Sequence, residues 1–308
     1  MILASDTFRT AESNVDRGLL ASQVTVPGKW VLTGEHTVLR GGSAIAMPHP
    51  EYSLTLSFEA DGAGELKVGR SGRDHIYSPV LELVRQLERK SGAKAPGGTL
   101  RIQSTIPVGG GLGSSAALCV AVTRWFSART GYAFEKPVAV ATELEDYFHG
   151  KSSGMDVAVV ASGQPIVYRR TTEPGEVGIT PLLLASGLPK FTFHDTRVRG
   201  RTSDCIEKVK RVAELDPARG EALDRQMKAA TAEAIEGLQL FGRGGSEDRA
   251  RGLERVASAM SQGQGCYEGW GLVPDSVSAL HAELKRQGAL ATKLTGAGGG
   301  GFLVALWD

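Results

Sequence analysis

The sequence predicts an α+β protein of two domains, and three observations carry that prediction. Short runs of alternating apolar residues stand beside longer segments of helical periodicity. Their order lacks the strict strand–helix alternation of a doubly wound sheet. A polar connection followed by an apolar stretch places a boundary near residues 185–189, giving domains 1–187 and 188–308. The 308 residues, 41% of them hydrophobic, can bury a sizeable core, which excludes disorder of the whole chain.

In chain order, residues 1–22 are weakly patterned, read as an arm or a strand, and are assigned no function. Leu54, Leu56 and Phe58 alternate as in a half-buried strand, and Leu100 and Ile102 do so after the Gly97-Gly98 turn. Between them, Ser78 as N-cap and Pro79 at the first helical position open a helix marked by Leu81, Val84 and Leu87 and closed by Gly92. A glycine run precedes a second helix, with Leu118, Ala121, Val122 and Trp125 on one side and Gly131 as its stop, and Pro137 opens a third. A strand at Ile166 to Tyr168, a polar connection at Thr171 to Glu176 and an apolar stretch at Leu182 to Leu184 complete the first domain. Beyond the boundary come a strand at Phe191 to Phe193 and helical segments at 203–215, 220–240, 246–262 and 275–287. A second glycine run and the strand Phe302 to Trp307 end the chain, and no internal repeat is present.

Thirty-five basic against 34 acidic residues leave a formal charge of +1, so no global field draws the chain to nucleic acid or an anionic membrane. The expected partner is a small molecule. Cys119, Cys205 and Cys266 are widely spaced, odd in number and form no C-x-x-C pair, which points to a reducing, cytoplasmic setting. No run of eighteen apolar residues occurs, and the first twenty residues lack the apolar centre of a secretory signal.

Pro107 to Ala117, PVGGGLGSSAA, lies between a strand and a helix. Flexible backbone N–H groups beside a helix's positive end form an anion cradle, and Ser114 or Ser115 offers a hydroxyl to phosphate or Mg²⁺. A plain glycine turn, with a serine capping the helix, is the alternative reading. The chain has no G-x-x-x-x-G-K-[ST], no acidic residue at the distance a dinucleotide fold requires, and no G-x-S-x-G elbow for a serine hydrolase.

Three motifs together resemble the GHMP kinases, named for galactokinase, homoserine kinase, mevalonate kinase and phosphomevalonate kinase. They are Val26 to His36 (VPGKWVLTGEH), Pro107 to Ala117, and Lys293 to Phe302 (KLTGAGGGGF), and they span nearly the whole chain in the family's order. Within the superfamily, Lys29 with Glu35-His36, and Glu145 to Asp156 (EDYFHGKSSGMD), look like the mevalonate kinase branch and its E-x-x-x-H-G-x-P-S-G-x-D.

The resemblance implies an N-terminal domain like the second domain of ribosomal protein S5 and a C-terminal domain with a ferredoxin-like core. It implies ATP as co-substrate, Mg²⁺ as cofactor, a small alcohol as acceptor and compatibility with a homodimer. The acceptor it suggests is mevalonate. A sugar, a phosphorylated acceptor, or a catalytically silent nucleotide- or metabolite-binding regulator are the alternatives. By the same resemblance Asp156 accepts the substrate proton beside Lys29, and Ser115 and Glu145 hold Mg²⁺. Pro107, Gly109, Gly110, Gly111, Leu112, Gly113, Ser114, Ser115 and Ala116 bind nucleotide. Glu35, His36, Thr202, Gly298 and Gly299 face the acceptor, although Glu35 and His36 also read as turn residues and His149 as structural. Two departures stand out. Gly200, between Arg199 and Arg201, takes the place of the family's arginine, and Ser152 that of its proline.

Overall fold

A computed structural model describes residues 22–62, 64–69, 77–150, 152–170, 177–185 and 187–308. The elements, in order, are β1 (Gln23–Thr33), a 3-10 turn (Thr37–Arg40), β2 (Ser43–Glu59), β3 (Leu66–Val68), α1 (Tyr77–Ser91), β4 (Gly98–Ser104), α2 (Ser114–Thr130), α3 (Pro137–His149), α4 (Met155–Ser162), β5 (Ile166–Arg170), β6 (Val177–Pro181) and β7 (Lys190–Asp195). They continue with α5 (Thr202–Leu215), α6 (Pro217–Arg243), α7 (Ser246–Gly269), α8 (Asp275–Arg286), β8 (Ala291–Thr295) and β9 (Phe302–Trp307). The α+β class is observed. Residues 1–21, the connection Thr171 to Glu176 and the side chains of Ser78 and His149 lie outside the described residues.

Two compact units are present. The first comprises the residues up to Lys29, Pro48–Pro107 and Gly113–Gly163. In it β2 pairs antiparallel with β4, Leu56 opposite Ile102 and Phe58 opposite Leu100, and β3 runs parallel to β4. Cross-strand apolar pairs on one face give this sheet its buried side. α2 packs against α1, α3 and α4. The sequence marks one apolar side on α2, yet Ala116 to Thr123, Trp125 and Phe126 are all buried. Small residues allow neighbours on several sides, and a helix apolar all round belongs in a core. Trp125 meets Phe58 with ring centroids 5.5 Å apart, and the Arg129 guanidinium covers Phe58 at 4.7 Å.

The second unit comprises Trp30–Met47, Val108–Leu112 and Gln164–Asp308. Its antiparallel sheet has the order β7-β9-β8, with Phe193 opposite Val304 and Leu294 opposite Leu303. The first residues of β2 also pair here, Ala44 against Tyr168 of β5, and β5 pairs with β6. Met227 of α6, Tyr267 and Trp270 from the end of α7, Leu294 and Leu303 belong to one buried cluster. Trp30 lies against Phe191 and Phe193, with centroids 4.9 and 5.2 Å away. The apolar stretch Leu182 to Leu184 follows the end of β6 at Pro181, with Leu182 buried and Leu183 80% exposed. Among the described residues no helix is long and apolar enough to cross a membrane.

Candidate active site

In the first unit, Gly113 at φ 73° is the residue before α2, and no side chain caps that helix. The serines are therefore not its cap, and the first-turn N–H groups that a helix leaves without an internal partner belong to Ser114, Ser115 and Ala116. Gly113 also makes room, because a Cβ there would stand 2.7 Å from Lys29 Cγ. Lys29, on β1, is buried and its Nζ lies 2.9 Å from Asp156 Oδ2. Asp156 sits in the first turn of α4 behind Gly154 at φ 79°, where the helix dipole favours a negative charge.

Glu145 of α3 is buried, with Oε1 accepting from Ser115 Oγ at 3.4 Å and Oε2 accepting from Ser152 Oγ. Burial, and then the charge of Asp156, push its carboxyl up to about 7, against the opposing influence of Ser152, Lys29 and Ser115. Two carboxylates thus share one lysine, leaving a negative charge that a cation would neutralise. A hydroxyl and one carboxylate, both hard oxygen donors, suit Mg²⁺, which is held by few protein ligands and completes its shell with water and phosphate oxygens. Among the described residues no group of three or more His, Cys, Asp and Glu forms a closed metal cage.

Ser152 is bonded through both its backbone and its side chain. Its N–H donates to Asp146 Oδ1 at 2.6 Å, and its Oγ accepts from Gly154 N at 3.1 Å while donating to Glu145. A proline supplies neither the N–H nor the hydroxyl. The substitution builds a serine bridge between the carboxylate and the turn that carries Asp156.

In the second unit, Gly34 at φ 99° brings the chain close to β2, since a Cβ there would lie 2.2 Å from Ser43 O. Glu35 and His36 follow, both buried, and His36 keeps a positive φ of 62°. His36 Nε2 donates to the Ala297 carbonyl at 2.9 Å, its ring stands edge-on to Trp270 at 5.5 Å, and burial holds its pKa below the usual histidine value. Glu35 Oε1 accepts from Lys293 Nζ at 2.7 Å and from Gly296 N at 3.3 Å. These are more than turn residues, because they tie the first motif to the third.

The two glycine runs also meet in this unit. Gly109 and Gly111 have positive φ, and a Cβ on Gly301 (φ 87°) would lie 2.8 Å from Gly110 O. Gly298 and Gly299 adjoin Gly200, where a Cβ would stand 2.9 Å from Gly298 O and Gly299 Cα. A side chain at position 200 has no room without backbone movement. Arg199 grips Asp195 through two hydrogen bonds of 2.6 and 2.8 Å. Thr202 opens α5 and is exposed.

The structure therefore gathers Lys29, Gly113, Ser115, Glu145 and Asp156 in the first unit. It gathers Glu35, His36, Gly109 to Leu112, Gly298 and Gly299 in the second, and leaves Thr202 on the surface. Two contributors escape the sequence reading, the Ser152 hydroxyl and Lys293. The first was signalled by its departure from the motif and the second by its place at the head of the glycine run.

The family model for the GHMP kinase N-terminal domain matches residues 78–164, and that for the C-terminal domain matches 248–308. A mevalonate kinase of Aeropyrum pernix is 33% identical over 93% of this chain and 89% of its own. The chain belongs to the GHMP kinases. It is an ATP-dependent kinase of small molecules. A mevalonate kinase of Thermococcus gammatolerans is 31% identical over 92% of this chain and 88% of its own. The crystal structure of L. major mevalonate kinase in complex with R-mevalonate superposes with a TM-score of 0.73 at 22% identity, covering 92% of this chain and 86% of that one, and shares the fold.

Proposed function

We propose that this GHMP kinase transfers the γ-phosphoryl group of ATP to the primary hydroxyl of mevalonate, giving 5-phosphomevalonate and ADP. The observation that carries the chemistry is the 2.9 Å Lys29–Asp156 pair beside the Ser115–Glu145 couple. The acceptor rests on the relatives named mevalonate kinase.

Phosphoryl transfer depends on positioning and charge neutralisation. Asp156 orients the acceptor hydroxyl and takes its proton as the new O–P bond forms and the bond to the β-phosphate oxygen breaks. Lys29 neutralises charge on the oxygens of the moving group. The backbone from Pro107 to Ala116 cradles the phosphates. Ser115 and Glu145 would hold Mg²⁺, which neutralises phosphate charge when bound. Glu35, His36, Gly298 and Gly299 line the acceptor side, with Thr202 contributing its hydroxyl. The domain division at 187/188 belongs to this reading. So does a cytoplasmic location, which suits three buried free thiols.

A second reading, another small alcohol such as a sugar or a phosphorylated acceptor, is favoured by Gly200. Where the family's arginine would stand there is no room for a side chain, and Arg199 is held by Asp195. Initial rates of ADP formation with ATP and a panel of acceptors separate the two. Turnover confined to mevalonate supports the first, while turnover of a sugar or a phosphorylated acceptor without mevalonate overturns it.

A further inference from the structure

Lys293 is 1% exposed on β8, and no step assigned above uses it. Its Nζ donates to Glu35 Oε1 and to the Leu294 carbonyl, each at 2.7 Å, and lies 4.4 Å from the centre of the Tyr267 ring. Its stem is confined by α7, since a Cβ on Gly263 would stand 3.1 Å from both Cδ and Cε. The ammonium thus has one place to sit.

Burying an ion pair is poor value as stabilisation, because desolvation of both charges offsets much of their attraction and a well-packed apolar pair often does as well. The arrangement makes better sense as orientation. Oε1 of Glu35 is fully engaged by Lys293 and Gly296 N, while Oε2 is buried and has no hydrogen-bond partner among the described residues. Of the neighbouring donors, the Tyr267 hydroxyl stands within reach of Glu35 but gives its single proton to the Gly296 carbonyl, and His36 Nε2–H goes to the Ala297 carbonyl. A buried carboxylate oxygen without a donor is costly and calls for one from a bound molecule.

We propose that Lys293 is a positioning residue that locks one oxygen of Glu35 so that the other is presented as the acceptor for a hydroxyl group of the substrate alcohol. This rests on the reading of Glu35 as part of the acceptor side of a GHMP kinase. The titratable groups facing Glu35 are Lys293, His36, Tyr267 and Cys266. Lys293 is the cation in contact with it. Without it, the buried carboxylate loses the contact that fixes its orientation.

The test compares wild type, Lys293→Met and Gly263→Ala, using whichever alcohol the wild type phosphorylates fastest. Gly263→Ala displaces the Lys293 stem from a separate helix and keeps the charge. Expected is a rise of tenfold or more in acceptor KM for Lys293→Met, a smaller rise for Gly263→Ala, and unchanged ATP KM in both. Unchanged acceptor KM in Gly263→Ala and Lys293→Met, or equal rises for both substrates, overturns the proposal, and if Lys293→Met does not fold, Gly263→Ala alone decides. Wild type inactive on every alcohol instead overturns the kinase reading on which the proposal stands.

Discussion

Lys29 Nζ stands 2.9 Å from Asp156 Oδ2, the lysine side chain 4% exposed and the aspartate 29%. One partner is sealed in the fold and the other faces outward, so the pair presents a fixed positive charge behind an accessible carboxylate. Lys29→Met should lower kcat by about 10²- to 10³-fold, the scale of losing one preorganised electrostatic contact. ADP binding, measured by calorimetry, should change far less. Equal loss of binding and rate would mean that the lysine serves the ground state.

Ser152 donates to Glu145 and thereby fixes the carboxylate assigned to Mg²⁺. Ser152→Ala should weaken metal affinity about 10- to 100-fold, the range for removing a partner that orients a metal ligand. Mn²⁺ titration followed by electron paramagnetic resonance reads this without turnover. An unchanged dissociation constant would limit Ser152 to a backbone role.

Gly301→Ala forces a Cβ to within 2.8 Å of Gly110 O at a φ of 87°. The strain and clash should cost at least about 1–3 kcal/mol and lower Tm by several degrees. Gly62, at φ 69° with nothing within 4 Å of an added Cβ, is the control, and its alanine variant should lose only the backbone strain of about 1–2 kcal/mol.

His49 is buried, its Nδ1 accepts from the N–H groups of Glu51 and Tyr52, and burial pushes its pKa down to about 4. With the folded pKa below the ordinary value of 6.5, the unfolded chain binds the extra proton between pH 6.5 and 4. Its stabilising contribution is present above 6.5 and is lost as pH falls through that window. Urea midpoints measured from pH 7 to 4 should fall, and His49→Gln should flatten the slope.

Much of this architecture could be read from residues. Pro137 and Gly131 mark helix boundaries where proline fixes φ and glycine adopts the left-handed conformation, and the structure places α3 and the end of α2 there. β8 escaped because Ala291 to Thr295 is buried on both faces and so shows no alternation. α4 escaped because its short apolar run, from Val157 to Ala161, has no polar side to reveal a helical period. At the candidate site, the family resemblance singled out Lys29, Ser115, Glu145 and Asp156, whose side chains lie near one another. It could not report the Lys293–Glu35 contact, which joins residues 258 positions apart and depends on the space at Gly263.

The most direct test is the mevalonate-dependent rate of ADP formation in wild type relative to Asp156→Asn, at saturating MgATP. A ratio of about 10² to 10⁴, the scale of removing a general base, is the predicted result. A ratio near one, or a wild-type rate indifferent to mevalonate, would contradict it.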